Sequence, residues 1–284
     1  MAELLRGKEV SDAMKAGLRA RAAKLSAKGV MPCLNIIRVG ERPDDLAYER
    51  SALKKLESIG AKAIVSAFPV DVTHDVFAGG FKKINDDKDV HGILLFRPLP
   101  GRIREHDIIA VMDPAKDVDG MCATNIAKAF SGDEGGFAPC TPTAVVELLK
   151  YYHVPLKGAK VTLVGRSLVV GRPLAMLLLK EDATVTICHT RTSGLEAECR
   201  AADILIAAAG SAKMIGADHV KKGAVVIDVG ISLDKNGLLC GDVDFEQVEP
   251  LASKITPVPG GVGSVTASIL AEHTLKAAEA SVSA

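Results

Sequence analysis

The chain of 284 residues contains no tryptophan, and aromatic residues make up only 4% of it. It also has no excess of charge of either sign, because Lys and Arg total 35 and Asp and Glu total 35. This balance gives no reason to expect nucleic acid or a membrane surface as a partner. No stretch reaches the roughly 18 apolar residues of a membrane-spanning helix, and the N-terminus lacks an apolar core of signal-peptide length. The sequence therefore predicts a cytoplasmic protein.

Motifs for metal ions and disulfides are also missing. The six cysteines are scattered and include no C-x-x-C pair, which indicates reduced thiols rather than a disulfide framework. The histidines include no H-E-x-x-H motif, so we expect no metal site. Apolar residues, in contrast, make up 48% of the chain, which is ample for the cores of two domains.

Strand and helix patterns alternate twice along the chain. The first series predicts helix 10–28, strand 33–39, helix 44–58, strand 61–68, helix 75–85 and strand 90–96. The second series predicts helix 143–152, strand 159–164, helix 171–180, strand 183–188, helix 193–201, strand 203–208, helix 216–222 and strand 224–229, and a last helix covers 264–279. Such alternation indicates parallel sheets with crossover helices, and the second series indicates a Rossmann-like half-fold.

The segment between the two series is richer in Gly, Pro and Asp than the rest of the chain. We expect residues 97–140 to form a connector that lines a cleft. Thr141 is then expected to cap the next helix, with Pro142 at its first position.

A turn with two glycines lies between the predicted strand 159–164 and helix 171–180. It reads G-R-S-L-V-V-G-R-P from Gly165 to Pro173. A strand that ends in such a turn and opens a helix is the phosphate-binding geometry of dinucleotide folds, because free N–H groups and the helix dipole favour a pyrophosphate. The spacing is not G-x-G-x-x-G, so a plain strand-to-helix turn is the alternative.

The residues after the next predicted strand bear on the choice of cofactor. NAD sites place an acidic residue there, which binds the ribose 2′-hydroxyl. This chain has His189-Thr190-Arg191-Thr192 instead. Arg191 and Arg166 are therefore predicted to neutralise a 2′-phosphate, with hydrogen bonds from Thr190 and Ser167, which favours NADP over NAD. The alternative is that both arginines are solvated loop residues.

The sequence motif G-R-S-x-x-V-G-x-P at 165–173 resembles the cofactor loop of the methylenetetrahydrofolate dehydrogenase/cyclohydrolase family. Other segments resemble that family in the same order, and together they span nearly the whole chain. They are Tyr48 on a lysine-rich helix, 92–94 (GIL), 98–100 (PLP), 116–120 (KDVDG), 139–142 (PCTP), 188–192 (CHTRT) and 257–263 (PVPGGVG).

The resemblance implies a two-domain α/β fold. Residues 1–140 are expected to form an αβα folate-binding catalytic domain, to which the C-terminal helix within 264–284 returns. Residues 141–263 are expected to form a Rossmann NADP-binding domain. The resemblance also implies a homodimer through this second domain.

The residues expected to contact NADP follow the predicted strands of the Rossmann domain. They are Gly165, Arg166, Ser167, Val170, Gly171, Pro173, His189, Thr190, Arg191, Thr192, Ala209, Gly210, Gly230 and Ile231. Tight packing of a turn explains the small residues at 207–210 equally well. In the 259–263 loop, Gly261 and Val262 are expected to contact the substrate or the nicotinamide through the backbone. The usual Pro-Met-Thr after this loop is Ser-Val-Thr here.

The folate side departs from the family pattern. Family members carry a Tyr and a Lys four residues apart on one helix face; the Tyr stacks on the folate and the Lys serves the cyclohydrolase step. Here Tyr48 is present, but Ala52 occupies the lysine position and Phe96 replaces the glutamine that tunes that lysine. Because both partners of one polar pair are missing, we expect the cyclohydrolase activity to be lost or weak.

Asp119 remains in the segment that reads K-D-V-D-G. The resemblance implies that its carboxylate accepts hydrogen bonds from the pterin ring, and an Asx turn before Gly120 is the alternative. Asp117 is expected to be structural, and Cys140 to be a packing residue.

These features predict an enzyme that oxidises 5,10-methylenetetrahydrofolate to 5,10-methenyltetrahydrofolate by hydride transfer to NADP, in one-carbon metabolism. The first alternative is a bifunctional dehydrogenase/cyclohydrolase that makes 10-formyltetrahydrofolate, with Lys55, Lys54 or a solvent route in place of the usual lysine. A second alternative is a non-catalytic folate- or nucleotide-binding protein. A third is a different Rossmann oxidoreductase.

Overall fold

The computed structural model describes residues 1–235 and 237–283, and it divides the chain into two compact units. The first unit comprises Ala13–Ala129, Asp133–Cys140 and the chain from Ala267 onward. The second unit comprises Met1–Asp12, Phe130–Gly132 and Thr141–Thr266. Among the described residues, no helix is long and apolar enough to cross a membrane.

Strands and helices alternate along most of the chain. The strands are β1 (Glu3–Leu4), β2 (Cys33–Val39), β3 (Lys62–Phe68), β4 (Gly92–Leu95), β5 (Lys160–Val164), β6 (Thr184–Cys188), β7 (Ile204–Ala207), β8 (Val225–Asp228), β9 (Ser232–Leu233), β10 (Leu239–Cys240) and β11 (Lys254–Ile255). The helices are α1 (Gly7–Ala27), α2 (Pro43–Ile59), α3 (His74–Asp86), α4 (Glu105–Ala110), α5 (Ala123–Ser131), α6 (Cys140–Tyr151), α7 (Gly171–Lys180), α8 (Leu195–Arg200), α9 (Phe245–Val248) and α10 (Gly263–Ser283).

The first unit is built on a parallel sheet in the order β3-β2-β4. Pro43 opens α2 and Gly60 closes it with φ 80°, a left-handed conformation that glycine adopts without strain. The buried face of α3 carries Phe77 and Phe81, both 0% exposed, which pack in one cluster with residues of β2 and β4. Helix α3 therefore packs against β2 and β4, and the predicted position Phe96 directly follows β4.

The C-terminal helix α10 belongs to the first unit from Ala267 onward, as predicted. Arg21 of α1 binds Glu272 and Glu279 of α10, with N–O distances of 3.1 and 2.9 Å. Lys276 donates to the carbonyls of Glu134 and Gly136 at 2.6 and 2.9 Å. These contacts tie the end of the described chain to elements that precede residue 141 in sequence.

The second unit is built on a parallel sheet in the order β1-β11-β8-β7-β5-β6. Its core contains buried residues of the strands, among them Leu205, Val226 and Ile255. Buried residues of the segments that connect the strands pack against them. A two-stranded antiparallel ribbon, β9-β10, follows β8. The order in which β5 lies between β6 and β7 is that of a Rossmann-type sheet, which confirms the predicted fold class.

Several local predictions were wrong. The predicted helix 216–222 is only a 3-10 turn over 217–219. The connector 97–140 contains the helices α4 and α5, which were not predicted. Helix α6 begins at Cys140, so Thr141 lies within the helix instead of capping it. Residues 1–12 group with the second unit and not with residues 13–129, because β1 pairs with β11.

Candidate active site

Four neighbouring strands of the second unit end at one edge of its sheet. Val164 at the end of β5 lies opposite Cys188 of β6 and Ala207 of β7, and Ala207 lies opposite Asp228 of β8. All the residues predicted to contact NADP follow these strand ends within nine positions. The carboxyl edge of an open parallel sheet is where such folds bind their ligands, so the structure brings the predicted cofactor residues to one edge.

The turn after β5 requires both of its glycines. Gly165 has φ 136°, and a Cβ there would lie 2.1 Å from the carbonyl oxygen of Ala208. A Cβ on Gly171 would lie 2.2 Å from the carbonyl oxygen of Gly165. Ser167 Oγ accepts the N–H of Val170 at 3.0 Å, which orders the start of α7. The turn is therefore folded tightly on itself, while Arg166 and Ser167 stay exposed at the helix start.

The turn after β6 is ordered by its own side chains. Thr192 Oγ1 accepts the N–H of His189 at 2.9 Å, and His189 Nδ1 accepts the N–H of Arg191 at 3.1 Å. Thr190 and Arg191 remain exposed. An exposed helix start, two exposed arginines and no carboxylate in this turn suit a dinucleotide that carries an extra phosphate on its ribose.

Two buried carboxylates that the sequence did not reveal lie beside the ends of β7 and β8. Asp242 accepts the N–H groups of Ala209, Gly210 and Ser211, so the backbone amides of the predicted residues Ala209 and Gly210 are already bound within the chain. Asp228 accepts three other backbone N–H groups. Burial raises the pKa of Asp228 to about 6, although these hydrogen bonds act in the opposite direction.

The glycine-rich loop before α10 is more buried than its sequence suggests. Val262 is 4% exposed and Gly261 is also buried, whereas Pro259 and Gly260 are exposed. The carbonyl of Val262 accepts the hydroxyl of Thr266 at 3.3 Å. The structure therefore places Val262 in the core, and the exposed backbone of this loop lies at Pro259 and Gly260.

Tyr48 and Phe96 meet in the first unit, with ring centroids 5.8 Å apart. The hydroxyl of Tyr48 is buried and has no hydrogen-bond partner among the described residues. Burial raises the pKa of Tyr48 well above its usual value. Ala52, one turn further along α2, is 0% exposed, and Phe96 is 7% exposed. The position of the family lysine is thus a small apolar site, and an aromatic ring stands in place of the glutamine.

The two acidic residues of the K-D-V-D-G segment differ in their surroundings. Asp117 accepts the N–H groups of Met121 and Cys122 and the side-chain amide of Asn125, so it is structural, as predicted. Asp119 is half-buried. Its Oδ1 accepts the N–H of Cys140 at 3.1 Å, and its carboxylate also accepts a hydrogen bond from the Cys140 side chain. Burial raises the pKa of Asp119, opposed by these two bonds and by the charge of Arg97. Its remaining acceptor capacity suits a ligand with N–H donors.

Cys140 lies beside His273 but is not activated by it. The Sγ to Nδ1 distance is 3.8 Å, and Nδ1 lies 2.8 Å from the carbonyl oxygen of Val118, to which it donates. Burial raises the pKa of the Cys140 thiol and lowers the pKa of His273 to about 4. A protonated thiol beside a neutral imidazole is inert, which agrees with the predicted packing role of Cys140.

Arg97 is a charged neighbour of this site that our sequence reasoning missed. Its Nη1 lies 3.6 Å from Glu105 Oε1, longer than a hydrogen bond, and its side chain is 26% exposed. Its carbonyl accepts Arg42 Nη2 at 3.0 Å. The sequence signal was a charged residue directly after the predicted buried strand 90–96. Among the described residues, no group of His, Cys, Asp and Glu is placed to hold a metal ion.

The fold and the strand-end turns define a Rossmann-type dinucleotide-binding protein with a second α/β unit. Family models identify both parts. The tetrahydrofolate dehydrogenase/cyclohydrolase catalytic domain matches residues 5–119, and the NAD(P)-binding domain of the same family matches residues 139–282. The chain therefore belongs to the tetrahydrofolate dehydrogenase/cyclohydrolase family.

Known relatives agree with this assignment. The bifunctional protein FolD of Carboxydothermus hydrogenoformans is 54% identical, covering 98% of each chain. The structure of the bifunctional enzyme FolD from Campylobacter jejuni has a TM-score of 0.95 at 40% identity, covering 99% of each chain. The Trypanosoma brucei dehydrogenase-cyclohydrolase, solved with NADP cofactor and an inhibitor, has a TM-score of 0.94 at 34% identity, covering 100% of this chain and 99% of that one.

These matches confirm the predicted family, the two-domain α/β fold, the enzyme class and the nicotinamide dinucleotide cofactor. The roles of the individual site residues stay predictions.

Proposed function

We propose that this enzyme oxidises 5,10-methylenetetrahydrofolate to 5,10-methenyltetrahydrofolate with NADP. The observation that carries the proposal is the composition of the turns after β5 and β6. They expose Arg166 and Arg191, and no acidic residue directly follows β6, in a chain of the tetrahydrofolate dehydrogenase/cyclohydrolase family. The T. brucei relative, which was solved with NADP, supports the same cofactor.

The reaction requires positioning more than acid–base catalysis. The hydride leaves a carbon that lies between two amine nitrogens, whose lone pairs stabilise the remaining cation. When bound, the nicotinamide ring accepts this hydride. Tyr48 is proposed to stack on the folate, and the Asp119 carboxylate to accept N–H donors of the pterin ring. Both residues hold the methylene carbon in place, and neither has to move a proton.

Hydrolysis of the methenyl product is the second activity of this family. The C. hydrogenoformans and C. jejuni relatives carry the description bifunctional. They favour the alternative, that this chain has both activities, over our prediction that hydrolysis is lost, which is not confirmed. What supports the prediction is the chemistry of Ala52 and Phe96, neither of which can exchange a proton with water. A bifunctional chain must therefore use another group.

One assay separates these possibilities. The enzyme is mixed with methylenetetrahydrofolate and NADP, and NADPH and the methenyl product are followed together by absorbance. A dehydrogenase without hydrolysis accumulates methenyl product in step with NADPH. A bifunctional enzyme keeps the methenyl product low and removes added methenyltetrahydrofolate faster than buffer does. Absence of NADP reduction would overturn the proposed function and favour a binding protein.

We also propose that the protein is a cytoplasmic homodimer. The six cysteines are all free, which suits a reducing compartment, and the resemblance to the family supports a dimer. Light scattering on the purified protein measures the mass directly, and the mass of a single chain would overturn the dimer.

A further inference from the structure

Two carboxylates in the interior of the second unit take no part in the chemistry described above. Asp242 is 0% exposed and Asp228 is 4% exposed. A carboxylate is costly to bury unless its oxygens accept hydrogen bonds. Both residues meet this requirement with backbone N–H groups alone. Four of these six groups lie at 209–211 and 230, in or next to the segments predicted to contact the dinucleotide.

Asp242 holds the turn that follows β7. Its Oδ2 accepts the N–H groups of Ala209 and Gly210 at 2.6 and 2.9 Å, and its Oδ1 accepts that of Ser211 at 2.7 Å. Three consecutive amides thus converge on one side chain that lies more than thirty residues further along the chain. The conformation of this turn is set by Asp242.

The same carboxylate packs against the segment that follows β8. A Cβ on Gly230 would lie 2.3 Å from Asp242 Cγ, so only glycine fits at that position. Asp242 therefore contacts two separate segments of the dinucleotide half-site, one after β7 and one after β8.

Asp228, in turn, holds the backbone that carries Asp242. Its Oδ1 accepts the N–H groups of Gly230 and Asp242 at 2.9 and 3.0 Å, and its Oδ2 accepts that of Val243 at 2.8 Å. A Cβ on Gly241 would lie 1.9 Å from Asp228 Oδ2, so glycine is required there too. The two carboxylates and two glycines form one connected arrangement at the end of β8.

We propose that Asp242, held in place by Asp228, is a positioning residue for the dinucleotide. Its carboxylate fixes the shape of the turns at 209–211 and 229–231, and it occupies amides that would otherwise be free to bind phosphate. The turn at 209–211 therefore presents carbonyls and small side chains to the dinucleotide, and not its N–H groups. This inference rests on the proposed use of a dinucleotide, but not on the identity of the folate substrate.

Hydrogen exchange on the unmodified protein tests the first half of the proposal. Without NADP, the amides of 209–211 should already exchange much more slowly than those of an open loop, because Asp242 accepts them. Addition of NADP should change their exchange little. Fast exchange without NADP, followed by strong protection with it, would show that these amides bind the dinucleotide and would overturn the proposal.

Calorimetric binding of NADP and NAD to Asp242→Asn tests the second half. The amide of asparagine replaces one accepting oxygen with a donor, which leaves a backbone N–H without its acceptor. The dissociation constants for NADP and NAD should rise by the same factor, about tenfold or more. Asp244→Asn, two residues away at the start of α9, is the matched control and should bind both as the unmodified protein does.

The pattern across variants separates positioning from other effects. Arg191→Ala should weaken the binding of NADP far more than the binding of NAD, whereas Asp242→Asn should weaken the binding of both by the same factor. A variant that melts at a lower temperature but binds both dinucleotides with unchanged affinity would show a purely structural role and overturn the proposal. If Asp242→Asn does not fold, Gly241→Ala displaces Asp228, which holds Asp242 in place, and should weaken the binding of both dinucleotides by the same factor. Binding of NADP without oxidation of any folate would refute the proposed function alone.

Discussion

The proposed dinucleotide half-site in the second unit and the proposed folate half-site in the first unit differ in whether their buried polar atoms have hydrogen-bond partners. In the second unit, Asp228 and Asp242 each accept three N–H groups of their own unit. In the first unit, the Tyr48 hydroxyl is buried without a partner among the described residues. The partly exposed Arg97 guanidinium lies 3.6 Å from the Glu105 carboxylate, which is longer than a hydrogen bond. The proposed dinucleotide half-site is thus held in shape by its own buried carboxylates, whereas the proposed folate half-site contains a buried hydroxyl that the described residues leave without a partner.

Asp119→Ala should produce the largest effect, and only on the folate side. Loss of two charged hydrogen bonds to the pterin, each worth about 1.5–3 kcal/mol, should weaken folate binding and turnover by roughly a hundredfold or more. Calorimetry with NADP should show nearly unchanged affinity. An equal loss of NADP affinity, or unfolding of the variant, would favour a structural role for Asp119 beside Cys140.

Restoring the missing polar pair should create hydrolysis where the apolar residues now stand. Ala52→Lys with Phe96→Gln should speed decay of methenyltetrahydrofolate by about a hundredfold if proton transfer is recovered. Ala52→Lys alone should do much less, because the buried ammonium lacks its partner, so the two effects should be non-additive. Ala52→Met with Phe96→Gln is the control of similar length without charge. Rapid decay with the unmodified enzyme would mean that another group already performs this step.

Arg191→Ala should affect only the dinucleotide side. The Michaelis constant for NADP should rise about ten- to hundredfold, because a charged hydrogen bond to phosphate is worth roughly 1.5–3 kcal/mol. Arg166→Ala should have a smaller effect in the same direction. The constants for NAD and for the folate should change little, and an equal rise for NADP and NAD would refute the 2′-phosphate contact.

A fall in pH should lower the free energy of unfolding of the first unit, because His273 is buried there. Burial lowers its pKa from 6.5 to about 4, so between these values the unfolded chain binds the proton that the folded chain excludes. Stability contributed by this residue is present above pH 6.5 and is lost as the pH falls, by about 2 kcal/mol at pH 5. The pKa of Asp228 is instead raised, to about 6. Its contribution to the free energy of unfolding therefore increases as the pH falls from 6 to 3.8.

The contribution of His273 is isolated by comparison of variants. Urea unfolding at pH 7.5 and pH 5 should show a smaller loss for His273→Gln than for the unmodified protein. His106→Gln, at a side chain that is 95% exposed, is the control and should show the full loss. The same loss in both variants would refute this assignment.

Tyr48→Phe should give the smallest effect, and it should change the stability of the ligand-free protein and the affinity for folate in opposite directions. Removal of a buried hydroxyl without a partner should raise the free energy of unfolding of the ligand-free protein by about 1 kcal/mol. Folate binding should weaken at the same time if the substrate satisfies that hydroxyl. Unchanged folate affinity would mean that Tyr48 contributes only its ring.

The sequence predicted what depends on neighbours in the chain and missed what depends on distant partners. Strand 33–39 and helix 171–180 were predicted with their observed bounds, because apolar periodicity and turn residues are local signals. The helices within 97–140 were missed, because they are short and their Gly-, Pro- and Asp-rich composition is typical of loops. Nothing local to Asp242 shows that its partners lie at 209–211.

The placement of α10 has a consequence for the synthesis of the protein. The first unit needs residues from Ala267 onward, which leave the ribosome only after the whole second unit. Residues 141–266 can therefore complete their fold, with β1 already available, while the first unit still lacks the partner of Arg21. The unit that carries Tyr48 and Asp119 therefore becomes complete last, after the unit that carries the predicted dinucleotide residues.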